Sequence, residues 1–226
     1  MAAQLTFTRD GVTHLVIGFD ARQLRLPMAN WWPRGPKHLH VLNIDADRPK
    51  TIDPILWTPL FEVSSQFKRP DDFAAMGKFW ADLHLLEDTV KRQDPQGGWA
   101  HKIVAFTLDI GSCPTETTLL EWESAFLETP NPAVLDESWK FLGYDVANSG
   151  FYSGLCSTGF HLEHENVEAL LSTWRPKIND DHLFIRDEDA REYIQLATRR
   201  EKPKSPFFVF GVWERPGRSG RDPFPS

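Results

Sequence analysis

The sequence predicts an α+β fold, a single globular domain over residues 1–213 in which helices pack on a mixed or antiparallel sheet. Residues 214–226, rich in Pro, Gly and Arg, read as a flexible tail. Three observations lead there. Short apolar runs bounded by turn residues dominate the first 66 residues. Amphipathic helical patterns follow in the middle of the chain. A long apolar run without alternation, Phe207 to Trp213, comes late.

Taken in order, His14 to Phe19 (HLVIGF) lies between Gly11 and Asp20 and reads as a strand. Leu39 to Ile44 (LHVLNI) is a second, closed by Asp45-Ala46-Asp47, and Leu60 to Val63 is a third. Leu26 to Lys37 contains Pro27, Pro33, Gly35 and Pro36, so it reads as a loop although it carries Trp31 and Trp32. Asp71 to Arg92 is the clearest helix. Phe73, Met76, Trp80 and Leu83, extended by Phe79, Leu86 and Val90, form a broad apolar stripe of helical period. Asp71 and Asp72 at its start and Lys91 and Arg92 at its end complement the helix dipole. Asp94-Pro95-Gln96-Gly97-Gly98 stops it.

Ile103 to Ile110 reads as a strand, and Thr115 caps a helix through Leu127. Asn131-Pro132 is a second helix-start signal with Gly143 as its stop, but Trp139 to Val146 reads equally well as a strand. Residues 147–160 are rich in Gly and Ser and read as a loop with a short strand inside. Asn166 opens a short helix through Trp174, ended by Arg175-Pro176. Leu183 to Ile185 is a short strand. Asp187 opens a last helix to about Arg200, with Ala190, Tyr193, Ile194 and Ala197 inward. Phe207 to Trp213 (FFVFGVW) then reads as a strand buried on both faces.

The 226 residues include 25 Lys+Arg and 32 Asp+Glu, a net charge of −7. That balance argues against nucleic acid as a partner, because phosphate neutralisation needs clustered Lys and Arg. Two cysteines, Cys113 and Cys156, exclude a disulfide framework and fit a reducing compartment. The N-terminus lacks a signal-peptide pattern and no long apolar stretch occurs, so the expectation is a soluble cytoplasmic protein with no membrane partner.

The spacings required by phosphate-loop, dinucleotide, nucleophile-elbow and HExxH chemistry do not occur. The cluster His161-Leu162-Glu163-His164-Glu165 is the best metal-like group, since His161 and His164 would share a helix face. His38 and His40 would share a strand face. Neither pair comes with a third and fourth ligand, so polar surface residues beside turns explain both, and no metal or cofactor is expected. An enzyme built around Cys156, His161 and His164 is one alternative reading. Carboxylate pairs such as Asp136/Glu137 and Asp187/Glu188/Asp189 are equally explained as caps and solvated helix faces. The adjacent Trp31 and Trp32 suggest a second alternative, a structural or assembly protein using them at an interface.

The charge is segregated. Residues 1–113 are neutral overall, residues 114–198 carry −11, and residues 199–226 carry +4. Such a window is self-repulsive in a compact fold, and complementarity to a basic partner explains it. The segment Trp139-Lys140-Phe141-Leu142-Gly143-Tyr144-Asp145-Val146-Ala147, followed by Ser153-Gly154-Leu155-Cys156, resembles an uncharacterised bacterial family. That family carries W-x-F-L-G-Y-D-V-A and then S-G-L with a nearby N-C-G, and it is similar to the immunity proteins of bacterial toxin systems. The match covers about 20 residues, and Cys156-Ser157-Thr158-Gly159 stands where the N-C-G would fall. The resemblance implies an inhibitor that binds and occludes a cognate protein toxin. On that reading the acidic window and the loop 147–160 form the contact, through Tyr144, Asp145 and Asn148, with Asp180 and Asp181 as rim charges.

Overall fold

The computed structural model describes residues 6–23, 79–80, 82–93, 95, 101–114, 135–148, 172–179, 181, 183–200, 202 and 205–215. β1 (Thr6–Arg9) and β2 (Val12–Gln23) form an antiparallel hairpin, in register from Thr6↔Leu15 to Arg9↔Val12. Its two-residue turn is Asp10-Gly11, both at positive φ, the chemistry such turns favour. β2 pairs antiparallel with β3 (His101–Asp109), from His14↔Asp109 to Gln23↔His101. The register shifts between Val16 and Gly18, so Ile17 is the extra residue of a bulge. β3 pairs antiparallel with β5 (Phe207–Glu214), from Val104↔Glu214 to Leu108↔Phe210. With β4 (Lys140–Asn148), the five strands stand in the order β1-β2-β3-β5-β4. Together with helices α1 (Leu83–Gln93) and α2 (Asp187–Arg200), they make an α+β architecture.

The late apolar run is the strand it was expected to be. Phe207 to Trp213 are all buried, as a strand with neighbours on both edges and cover on both faces requires. Of Trp139 to Val146, all but Trp139 is strand, and the strand continues through Ala147 and Asn148, which the sequence assigned to the following loop. Glu214 closes β5 and the Arg215 N–H donates to the Ile103 carbonyl at 2.9 Å, so the first two residues of the expected tail belong to the sheet. Residues 216–226 lie outside the described residues.

The first helix is shorter than its apolar stripe. Phe79, Leu83, Leu86 and Val90 are buried as the periodicity requires, but α1 begins only at Leu83. The cap is Asp82, whose Oδ1 accepts the N–H groups of His84 at 2.8 Å and Leu85 at 3.1 Å. Trp80 cannot extend the helix, because its N–H and C=O are both engaged with Phe19 at 2.8 Å. Residues 71–78, where the sequence placed the start and the caps Asp71 and Asp72, lie outside the described residues. α2 matches the expected span, with Asp187, Glu188 and Asp189 in its first turn. Around Leu183 to Ile185 there is no full strand: Phe184 makes single bridges to Tyr144 and Ile178. Residues 172–174 are helical and run into a 3-10 turn at Arg175–Lys177. The elements expected at 26–37, 39–44, 60–63, 115–127, 131–134 and 149–171 lie outside the described residues.

The chain divides into two compact units. The first comprises Met1–Gln23, Thr58–Leu142 and Phe210–Ser226, the second Leu24–Trp57 and Gly143–Val209. In the first, α1 lies against β2. Phe79 meets Phe106 with ring centroids 4.7 Å apart, and Leu15, Phe19, Leu86 and Leu108 are fully buried. Each such side chain contributes about 1.5–3 kcal/mol through removal from water. In the second, Trp174, Phe184 and Tyr193 form a three-ring cluster, Trp174 lying edge-on to Tyr193 at 5.0 Å and Phe184 at 5.2 Å from Tyr193. No helix among the described residues is long and apolar enough to cross a membrane.

Candidate functional site

The residues singled out on β4 sit on a strand held from one side by Phe184. Tyr144 and Phe184 exchange backbone hydrogen bonds at 2.9 and 2.8 Å. Gly143 makes this approach feasible. Its φ is +147°, and a Cβ there would stand 2.7 Å from the Leu183 Cβ and 2.8 Å from the Phe184 carbonyl oxygen. The consequence for the next two residues is burial: Tyr144 is 4% exposed and Asp145 0%. Asp145 Oδ1 accepts the Val146 N–H at 2.8 Å. Its charge also acts on the buried Tyr193, whose phenol is pushed well above its ordinary pKa, first by burial and then by Asp145. Asn148 is buried too. These three side chains therefore offer a partner almost no contact area and shape the surface from beneath it.

Asp181 is half-buried in a turn organised by Asn179, whose Oδ1 accepts the N–H groups of Asp181 at 3.0 Å and Leu183 at 3.1 Å. Asp180, the other proposed rim charge, lies outside the described residues, as do His161, His164, Cys156, His38, His40, Trp31 and Trp32. Among the described residues, no three metal-ligating side chains stand together.

Part of the acidic window is neutralised where it stands. Asp189, buried in the first turn of α2, accepts Arg186 Nε at 2.8 Å and lies 3.0 Å from Lys177 Nζ. Lys177 also donates to Glu192 at 2.6 Å and lies 4.6 Å from the centre of the Trp174 ring. Arg191 pairs with Asp187 at 3.4 Å. The Arg186 hydrogen bond, ahead of the Lys177 contact, holds the Asp189 carboxyl below the usual range. The bond to Glu192 raises the Lys177 ammonium. Glu188 and Glu192 remain exposed on α2, and Asp136 and Glu137 are exposed before β4. Asp136 accepts both the N–H and the hydroxyl of Ser138, which lowers its pKa.

Sequence reasoning missed a polar centre inside the first unit. Thr107 Oγ1 lies 3.0 Å from His14 Nδ1 and accepts the Trp213 indole N–H at 3.1 Å, while its own hydroxyl lies 3.4 Å from the Gly211 carbonyl. His14 stacks on Phe7 with centroids 5.3 Å apart, and all three members of the centre are buried. Arg9 covers the outer aromatics, 4.4 Å from the Phe141 ring and 5.1 Å from Trp213. A signal was present, in the form of His14 and Thr107 embedded in otherwise apolar strands. Cys113 is a free thiol that burial, and then the charge of Asp109, push up to about 11, so it is poorly nucleophilic at neutral pH.

Compared with protein-family models, with curated proteins and with solved structures, the chain matches none.

Proposed function

We propose that this protein is an immunity-type inhibitor, which silences a cognate bacterial toxin by stoichiometric binding of an acidic surface to a basic one. The observation that carries the reading is the segregation of charge, −11 over residues 114–198 against a neutral first half. Among the described residues of that window, Asp136, Glu137, Glu188 and Glu192 are exposed carboxylates and Asp181 is half-buried. Long-range attraction of this kind accelerates encounter and disfavours acidic competitors. The proposed contact also takes in Asp180, while Tyr144, Asp145 and Asn148, which are buried, serve it by holding the β4 backbone. The reading has the protein working in the cytoplasm without cofactor or metal. The test is co-expression with a candidate basic toxin, sought among the products of the adjacent reading frames. The expected result is rescue of growth and a one-to-one complex on gel filtration. Toxicity unchanged by co-expression, with no complex, overturns the reading.

A further inference from the structure

We infer that the chain contains an internal duplication, in which β2, the Phe79-Trp80 bridge and α1 are repeated as β4, the Leu183-Phe184 bridge and α2. Each unit carries one copy, apart from the first residues of β4. The sequence trace is short: Val16-Ile17-Gly18-Phe19-Asp20-Ala21 against Phe141-Leu142-Gly143-Tyr144-Asp145-Val146. The structural correspondence is much closer. Gly18 and Gly143 both lie within a strand at positive φ, +151° and +147°. The residue after each, Phe19 and Tyr144, bridges antiparallel to one aromatic residue, Trp80 and Phe184.

In both copies the glycine faces the residue before that aromatic. A Cβ on Gly18 would stand 2.5 Å from the Phe79 Cβ and 3.1 Å from the Trp80 carbonyl oxygen. On Gly143 it would stand 2.7 Å from the Leu183 Cβ and 2.8 Å from the Phe184 carbonyl oxygen. In both, the following aspartate is 0% exposed and its Oδ1 accepts the next residue's N–H at 2.8 Å. In both, the helix opens three residues beyond the bridging aromatic, at Leu83 and at Asp187. Aligned on those first residues, the helices bury Leu86 with Ala190 and Thr89 with Tyr193, one polar residue at the same turn of each. A strand follows each helix, β3 and β5.

Any strand–helix–strand succession would reproduce the order of elements. It would not reproduce a positive-φ glycine within a strand, a buried aspartate two positions on and a bridge timed three residues before a helix. Buried aspartates are uncommon, and a glycine inside a strand marks a place where another backbone approaches closely. The duplication gives Gly143, Tyr144 and Asp145 their role: they are the second occurrence of a device that clamps a strand to the segment leading into a helix. The copies then diverged in charge, α2 opening with Asp187, Glu188 and Asp189 where α1 has Leu83, His84 and Leu85.

Two measurements on the full-length protein test this. In an experimental structure, one rigid rotation should carry residues 12–23 and 79–93 onto residues 137–148 and 183–197 within about 2 Å. A helix meeting its strand at a different angle in the two copies overturns the duplication. Gly18→Ala and Gly143→Ala should each lower the Tm by more than about 5 °C. Asp20→Asn and Asp145→Asn should each lower it by similar, smaller amounts, which keeps the comparison readable if the glycine variants fail to fold. A neutral effect at one position of a pair, with a large effect at the other, contradicts the inference.

Discussion

Phe19 and Trp80 exchange both backbone hydrogen bonds at 2.8 Å, although 60 residues separate them in the sequence. This pair sets the start of α1, because the Trp80 backbone groups are spent before the helix can claim them. It also leaves Gly18 no space for a side chain. Gly18→Ala is expected to destabilise the fold by about 2–4 kcal/mol, combining backbone strain with overpacking. Gly11→Ala is the control. A Cβ there meets nothing within 4 Å, so only the strain of φ +83° acts, about 1–2 kcal/mol. Urea unfolding of the two variants measures the difference.

Thr107 joins β2, β3 and β5 through one hydroxyl. Replacing it by valine keeps the volume but leaves the buried Trp213 indole without its acceptor. The expected loss is about 1–3 kcal/mol, with Thr107→Ser recovering most of it. Chemical denaturation, with tryptophan fluorescence as the signal, checks both.

Acid should weaken the start of α2 through Asp189. Its folded pKa lies below the ordinary 3.8, so the stability it contributes is present above that value and is lost as pH falls through the folded pKa. Asp189→Asn should therefore flatten the acid limb of the stability curve while lowering stability at neutral pH by about 1–3 kcal/mol. Lys177 has the opposite sign. Its folded pKa lies above 10.5, so its contribution is full below that value and is lost as pH rises through the folded pKa.

Cys113 should resist alkylation. A thiol at about 11 rather than 9.0 holds roughly a hundredfold less thiolate at neutral pH. Iodoacetamide labelling followed by peptide mass spectrometry is expected to show slow reaction at Cys113, accelerating in urea. Fast labelling in the folded protein contradicts the burial assigned to it.

The fold was most legible where one physical requirement dominated. Phe207 to Trp213 could only be a doubly covered strand. Asp187 to Arg200 carried its own start signal and an unbroken stripe. Legibility failed where two requirements competed. The stripe from Phe73 to Val90 is continuous in sequence, yet a β-bridge claims Trp80 and moves the helix start to Asp82 and Leu83. Tyr144 and Asp145 look like surface chemistry because they are polar and lie next to glycine. The conformation of Gly143 and the approach of Phe184 put them inside. The polar centre at His14, Thr107 and Trp213 joins three strands distant in sequence, and no local pattern announces such a meeting. The two Gly-aromatic-Asp segments share too few residues to stand out until their geometry is compared.

The central functional claim is that exposed carboxylates attract a basic toxin. Its most direct measurement is the association rate of purified protein with the toxin that co-expression rescue identifies, across a salt series, for the natural sequence and for Glu137→Lys/Glu188→Lys. The account expects the natural rate to fall steeply with salt, and the double variant to associate about tenfold more slowly at low salt while keeping its Tm. A rate indifferent to both salt and charge reversal would contradict it.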